Sequence, residues 1–428
     1  MLEELGRYVI ATPYPFVVDL AGSQGMYLAT VEGRRLFDWA GYYGSKLIGH
    51  NHPGLAEPDY VRRLVLAANN KVANPDFLTP ECLEYYRLLM RLAPECMRNP
   101  NLEVYAVNSG AEAVENMMKY LVAKFNQKNR GNSIGNRRFL YFDKAFHGRT
   151  VFALGVTQTV DPVATKDFHG LTSTGNIKLP FPIYRQEAGD EANRREAERS
   201  LEQVRSALDL MRDQIVGIIV EPIQGAGGHR VAPAEFFRGL SRLAHDHEVY
   251  LAFDEVQTGL GATGRMWGID HFDLPYPPMA VATGKKFGNG VVYMHEPLED
   301  VGVLDSTWGG TLADMVRVVQ EVKIVEEEGL IARAAENGAR LAAGLTGLVE
   351  RFPDRLFNVR GLGLYQGISL HQPEDKAKLI DIALQEFDLL LLGAGNRSIR
   401  TRPNLSVTAG EVDLFFELLA NAIQRLRD

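Results

Sequence analysis

The sequence predicts an α/β protein in which a large domain with a mostly parallel sheet, flanked by helices, is joined to a small α+β domain built from both chain ends. Three observations predict it. Short apolar runs alternate with longer amphipathic stretches, the pattern of strands connected by helical crossovers. Five of those runs end on polar or glycine-containing turns. The C-terminal part then changes to shorter runs punctuated by glycine.

The strand candidates are Leu102–Val107, Phe139–Phe142, Val216–Val220, Tyr250–Phe253 and Met279–Thr283. Ligands of open parallel sheets sit beyond the carboxyl ends of the strands. The five ends therefore deliver Asn108-Ser109-Gly110, Phe146-His147-Gly148-Arg149, Glu221-Pro222, Asp254-Glu255 and Gly284-Lys285 to one edge. After Ser109-Gly110, the residues Val114, Met117, Met118, Leu121, Val122 and Phe125 recur at helical spacing. Further helices are expected over Glu196–Arg212, Glu235–His247, Met315–Glu328 and Leu330–Arg351. In the C-terminal part, Phe357–Leu370, Leu389–Leu392 and Ser398–Arg402 suggest a small sheet of two or three strands. Helices over Glu374–Glu386 and Ala409–Leu426 would cover it, and the N-terminal segment through Arg34–Gly49 would pack there too. The expected division is 1–55 and 326–428 for the small domain and 56–325 for the large one.

Bulk properties narrow the function. At about 150 residues per domain, 428 residues suit two or three domains. The hydrophobic share of 46% and charged share of 23% are those of an ordinary globular chain. A formal charge of −8 argues against nucleic acid as a partner, since phosphate binding needs a basic face. No run approaches the ~20 apolar residues of a membrane span. Met1–Pro13 has no basic segment followed by an apolar stretch, so no secretory leader is expected. Cys82 and Cys96 lie outside any metal-ligand spacing and form no disulfide framework, which points to a reducing cytoplasm and to no bound metal.

The strand ends carry chemistry. A lysine must lose its proton, at a pKa near ~10.4 when unperturbed, before it attacks a carbonyl. Burial beside other cations lowers that value, so Lys285 is a candidate Schiff-base lysine. Asp254 at a neighbouring strand end could keep a pyridinium nitrogen protonated and the ring an electron sink. The turn Ser109-Gly110-Ala111 opens a helix whose free N–H groups suit a phosphate. Phe146 could stack on a flat ring. The parts match a phosphate-bearing aromatic aldehyde.

Those segments, Asn108-Ser109-Gly110-Ala111-Glu112-Ala113, Phe146-His147-Gly148-Arg149, Glu221-Pro222-Ile223-Gln224-Gly225, Asp254-Glu255-Val256-Gln257-Thr258-Gly259 and Gly284-Lys285, resemble the class III aminotransferases in order and spacing. Ser306-Thr307-Trp308-Gly309-Gly310 and Arg360-Gly361-Leu362-Gly363-Leu364 extend the resemblance over nearly the whole chain. Pro13–Leu20, Asp314-Met315-Val316-Arg317 and Arg400-Thr401-Arg402-Pro403 resemble the lysine 6-aminotransferases within that class.

The resemblance implies a fold-type I homodimer with shared active sites, using pyridoxal 5'-phosphate to move the terminal amine of lysine, or of a similar ω-amino acid, to 2-oxoglutarate. Lys285 would hold the cofactor and carry the proton, and Asp254 would pair with the ring nitrogen. Val256 would pack on the ring, and Gln257 would reach its phenolic oxygen. Ser109, Gly110 and Ala111 would hold the phosphate, with Phe146 and His147 beside them and Thr307 reaching it from the partner subunit. Arg149 would take the donor's carboxylate, and Arg400 or Arg402 that of glutamate, because a guanidinium fork binds carboxylates bidentately. Three positions depart from the family pattern: the stretch Lys286-Phe287-Gly288-Asn289-Gly290 is poorer in glycine, Thr311 stands for Asn, and Ala226 stands for Glu. The last bears on substrate selection.

Blander readings stand beside these. Lys286 is expected at the surface or in a loop, Glu255 as a structural carboxylate, His147 as a hydrogen-bonding member of its own turn, and Tyr42 and Tyr43 in the core, although the two tyrosines could also line the substrate pocket. Other class III donors (ornithine, acetylornithine, 4-aminobutyrate) and a same-fold isomerase or racemase are alternatives, as is a non-enzymatic descendant, which the presence of Lys285 and Asp254 disfavours. Gly259-Leu260-Gly261-Ala262-Thr263-Gly264 spells GxGxxG, but no helical period follows to receive a pyrophosphate, and Met279 stands where a P-loop before Gly284-Lys285 needs glycine.

Overall fold

The computed structural model describes residues 1–9, 13–130, 136–158 and 175–426. Seven strands form the central sheet: β1 (Glu103–Val107), β2 (Arg138–Phe142), β3 (Ile177–Leu179), β4 (Ile215–Val220), β5 (Tyr250–Asp254), β6 (Ala280–Thr283) and β7 (Gly290–Met294). Their order is β1-β7-β6-β5-β4-β2-β3. Only β7 runs antiparallel to its neighbours. The carboxyl ends of β1, β2, β4, β5 and β6 therefore meet at one edge, as the sequence pattern requires.

Two strands lie outside the five expected. β3 is a three-residue edge strand, too short to stand out as an apolar run. β7 begins at Gly290, separated by two residues from the turn Lys285–Phe287 that reverses the chain.

The helix α1 (Gly110–Lys128) buries Val114, Met117, Met118, Leu121 and Phe125 on the sheet. Its start is set by Ser109, whose Oγ accepts the Glu112 N–H at 3.2 Å, while the Glu112 carboxylate accepts the Asn108 N–H at 2.9 Å. On the opposite face, Phe142, Phe181, Phe236, Phe237 and Phe253 interlock as buried rings, and Phe272 stacks on Phe237 at 3.9 Å.

The small domain holds two four-stranded sheets rather than one sheet of two or three strands. Leu389–Leu392 is not one strand. Leu389–Leu390 pairs in parallel with Arg35–Asp38, tying the N-terminal segment to the C-terminal part. Leu392–Ala394 turns away and pairs with Ser398–Arg400. Phe357–Leu370 is a hairpin, Leu356–Leu362 with Tyr365–Leu370, closed by the two residues Gly363 and Leu364. Gly363 has φ +53°, as the first position of a two-residue hairpin turn favours.

That hairpin explains the GxGxxG segment. A Cβ on Gly363 would lie 2.3 Å from the Thr263 carbonyl carbon, one on Gly264 3.0 Å from Ala335, and one on Gly261 2.8 Å from Ile331. The glycines serve close approach between the domains, and the next helical element is only the short turn Ile269–His271.

We expect Gly363→Ala to lose about 1–2 kcal/mol through the left-handed backbone alone, with the clash added. Gly347, exposed inside the helix Leu330–Arg351 with nothing within 4 Å of its would-be Cβ, should gain about 1 kcal/mol as Ala. Urea unfolding midpoints of both variants check this; equal midpoints would contradict the packing argument.

Candidate active site

A cleft of about 620 Å³ opens at the strand ends, lined by residues of β1–α1, β2, β4, β5, β6, the small domain and the N-terminal segment. Gly284 continues β6 in extended backbone, and Lys285 then turns at φ +52°. A Cβ on Gly284 would lie 3.0 Å from the Gly110 Cα, so the lysine strand and the start of α1 are nearly in contact. The Lys285 Nζ donates to the Tyr43 carbonyl at 2.8 Å. Burial, then the charges of Arg400 and Lys286, lower its pKa to about 7. A substantial share of the amine is therefore neutral at physiological pH, the state that attacks carbonyls.

Asp254 closes β5 and is 5% exposed. One carboxylate oxygen meets the His147 Nδ1 at 2.8 Å, and the other accepts the Val256 N–H at 3.0 Å. His147 thus reaches beyond its own turn. Burial works against its imidazolium, but the hydrogen bond to Asp254 prevails and its pKa is raised. Its Nε2 is buried without a partner.

At the start of α1 the N–H groups of Gly110 and Ala111 make no hydrogen bond among the described residues, and a Cβ on Gly110 would meet Val256 at 2.7 Å. The Ser109 hydroxyl is spent on capping the helix; Ser109 does not line the cleft. These features fit pyridoxal 5'-phosphate: free N–H groups and a helix N-terminus for phosphate, a neutralisable amine for the aldehyde, and a carboxylate for the ring nitrogen. No group of three His, Cys, Asp or Glu side chains that could hold a metal occurs among the described residues.

Phe146, Arg149, Gln257 and Arg400 also line the cleft. The Arg149 guanidinium lies 5.9 Å from the Phe146 ring centre. Arg400 is 7% exposed; its Nε donates to the Gly393 carbonyl at 3.1 Å, while its Nη1 is buried with no partner. Burial lowers its pKa to about 10. Ala226 lies on the same wall.

Arg402 corrects the paired expectation with Arg400. It is 0% exposed, does not line the cleft, and spends its donors on Gln257, His229 and the Thr401 carbonyl. Thr307 is exposed and does not contribute to this chain's own cleft.

Two blander readings are also overturned. Lys286 is 2% exposed, because the tight turn after Lys285 drives its stem inward; its Nζ donates to the Gln257 carbonyl at 2.7 Å and the Tyr365 hydroxyl at 2.9 Å. Tyr42 and Tyr43 are 40% and 52% exposed, and Tyr43 lines the cleft. Glu255 is structural as expected, accepting the N–H groups of Gly268 and Ile269 and the Thr258 hydroxyl.

Glu221 was not singled out by its Glu-Pro motif, yet it lines the cleft and accepts the Phe146 N–H at 2.9 Å. Burial pushes its pKa up to about 8, with Asp254 adding to the rise. The available signal was its position at a strand end.

Sequence and structure comparisons agree with a cofactor site of this kind. The family model described as aminotransferase class-III matches residues 9–423. The L-lysine-epsilon aminotransferase of Amycolatopsis lactamdurans is 32% identical over 436 residues, 98% of this chain and 95% of that protein. The acetylornithine aminotransferase of Gloeobacter violaceus is also 32% identical, over 98% of this chain and 96% of its own. The solved lysine aminotransferase from M. tuberculosis superposes with a TM-score of 0.91 at 31% identity, covering 99% of this chain and 98% of that one. The chain belongs to the class-III aminotransferases, enzymes that depend on pyridoxal 5'-phosphate.

Glu221 gives a pH test. The folded state holds its proton up to about 8, the unfolded chain only to about 4.3. Between those values the native state binds more protons, so this group's contribution to stability falls as pH rises through the window. Glu221→Gln mimics the protonated form. Its melting temperature relative to the native protein, measured without cofactor, should therefore climb between pH 5 and 8. Parallel curves across that range would contradict the assignment.

Proposed function

We propose that the enzyme transfers the terminal amine of lysine, or of a similar ω-amino acid, to 2-oxoglutarate, giving a semialdehyde and glutamate. The observation that carries it is the Lys285 amine, brought to a pKa of about 7 at a strand end adjoining that of Asp254, in a cleft also holding Arg149 and Arg400. Bound there, pyridoxal 5'-phosphate supplies the carbonyl that accepts the amino group and a ring that drains charge from the reacting carbon.

The chain's residues do the rest. Gly110 and Ala111 bind the phosphate through their free N–H groups. Asp254, oriented by His147, keeps the ring nitrogen protonated; Val256 and Phe146 confine the ring, and Gln257 faces its phenolic oxygen. Lys285 would hold the cofactor and would carry the proton taken from the donor's amine-bearing carbon. Arg149 holds the donor's carboxylate and Arg400 that of the keto acid. A five-carbon dicarboxylate engages both arginines, whereas lysine needs only one.

A second reading, acetylornithine as donor, is favoured by the equal identity of the Gloeobacter relative. A panel of amino donors with 2-oxoglutarate, monitored for glutamate, separates the two; no glutamate from any ω-amine would overturn both.

The working unit we infer is a homodimer in the cytoplasm. The helix Pro58–Asn69 exposes Val61, Val65 and Leu66; the following loop exposes Phe77 and Leu78; and Asn74 in that loop binds the Trp308 carbonyl. An apolar face of this kind favours a second copy, and Thr307 beside it would serve the partner's phosphate. The two cysteines are unpaired, which suits a reducing compartment.

Borohydride reduction followed by peptide mapping should place the cofactor on Lys285; a label on Lys286 would overturn the assignment. Asp254→Asn should keep the cofactor and lose about 10²-fold or more in rate, and unchanged half-reaction rates would remove Asp254 from the mechanism. Arg149→Ala should weaken the donor about 10- to 150-fold, as loss of a charge-assisted hydrogen bond does, and 2-oxoglutarate less. Equal losses in both half-reactions would make Arg149 structural.

A further inference from the structure

Gln257 forms part of the cleft wall, and Arg402 lies behind it. The Gln257 Oε1 accepts from the Arg402 Nη2 at 2.7 Å and from its Nε at 3.2 Å. A guanidinium has donors and no acceptor, so the amide must turn its oxygen toward Arg402. Its NH2 group is then the part left for the cleft, where its one contact is the Tyr43 carbonyl at 3.5 Å, the outer limit of a hydrogen bond. The backbone of Gln257 is pinned as well, since its carbonyl accepts from the Lys286 Nζ at 2.7 Å.

Arg402 is itself immobilised. Its Nη1 donates to the Thr401 carbonyl at 2.7 Å and its Nη2 also meets the His229 Nδ1 at 3.1 Å. The His229 Nε2 faces the Tyr365 carbonyl at 3.2 Å. A carbonyl only accepts, so the Nε2 carries the proton and the Nδ1 is free to accept from Arg402. The Tyr365 ring lies against the guanidinium at 4.0 Å. Four of the five Arg402 N–H groups are thereby committed to neutral acceptors, and no carboxylate accepts from it among the described residues. A buried cation without a counter-ion is unfavourable, and reaching a substrate would require it to abandon these acceptors.

We propose that Arg402 is a positioning residue that locks the Gln257 amide with its NH2 group toward the cleft, where it donates to an anionic ring oxygen on the ligand between Asp254 and Lys285. This rests on reading the cleft as the pyridoxal 5'-phosphate site. Arg402 acts through Gln257, not on substrate, which leaves Arg400 as the cleft's carboxylate-binding arginine on that wall.

The test reads the pH midpoint of the bound cofactor's visible absorption band in the holoenzyme. A donor on the ring oxygen favours its anion and holds that midpoint low. Gln257→Ala removes the donor, and Arg402→Met lets the amide turn over; each should raise the midpoint by about one unit. The double variant should show the rise of Gln257→Ala alone, because the two residues form one chain of action. The cations Lys285 and Arg400 and the groups Asp254, Glu221 and His147 also face the site, with Lys286 buried behind it, and all stay constant across the set. Additive rises would mean that Arg402 acts by its charge directly, and an unmoved midpoint in Arg402→Met would mean that it does not orient the amide; either result overturns the proposal. If Arg402→Met does not fold, Gln257→Glu retains a partner for Arg402 but has no N–H to give, and an unmoved midpoint there overturns it equally. Borohydride mapping on the same samples separates the two levels. An absent Lys285 label in the unmodified enzyme overturns the cofactor reading, whereas an intact label with additive midpoints overturns the role of Arg402 alone.

Discussion

Four cationic side chains, Lys285, Lys286, Arg400 and Arg402, are buried together around one cleft, and the cost of burying them is the constraint on which the site depends. Burial disfavours each charge, and for Lys285, Lys286 and Arg402 a neighbouring cation disfavours it further. Arginine cannot readily yield its proton, so the lysines do, and both amines fall to about 7. Glu221 and Glu255 do little to neutralise the cluster, because burial raises Glu221 to about 8 and Glu255 to about 7, while Asp254 opposes part of the fall at Lys285. A depressed lysine here is a property of the whole neighbourhood, not of Lys285 itself.

The N-terminal segment closes that neighbourhood with an unusual turn. Gly41, Tyr42, Tyr43 and Gly44 all have positive φ, from +49° to +81°. For the two tyrosines this conformation costs about 1–2 kcal/mol each. It is held by Asp38, whose carboxylate accepts the Ala40 and Gly41 N–H groups, and by the Arg402 N–H on the Trp39 carbonyl. The glycines are required for contact: a Cβ on Gly41 would lie 2.0 Å from the Arg402 carbonyl oxygen, and one on Gly44 2.6 Å from the Tyr365 hydroxyl. In return, the carbonyls of Tyr43 and Gly44 point at Lys285 and Lys286 and give the two amines neutral acceptors.

The same neighbourhood separates what was legible from what was not. Lys285, Asp254 and the start of α1 were readable because each sits at a strand end, and strand ends of a parallel sheet converge whatever the details of packing. Lys286 was not readable: adjacent lysines look alike, and only the turn Lys285–Phe287 sends one to the cleft and the other into the core. Arg400 and Arg402 were likewise equivalent, two residues apart on one strand direction, until Gln257 and His229 were seen to occupy the second. For Tyr42 and Tyr43 the sequence left both core and pocket open, because a left-handed turn leaves no periodic trace to choose between them.

The sequence by itself determined five of the seven strands of the central sheet, the helix that opens on Ser109-Gly110, the contribution of both chain ends to the small domain and the class of chemistry, because periodicity, capping residues and strand-end motifs are local signals. Tertiary structure alone decided that Lys286 turns into the core, which of two arginines faces the cleft, and how the Gln257 amide is turned. Those outcomes depend on burial and on donors and acceptors from distant parts of the chain, such as Gln257 for Arg402, and no local pattern contains them.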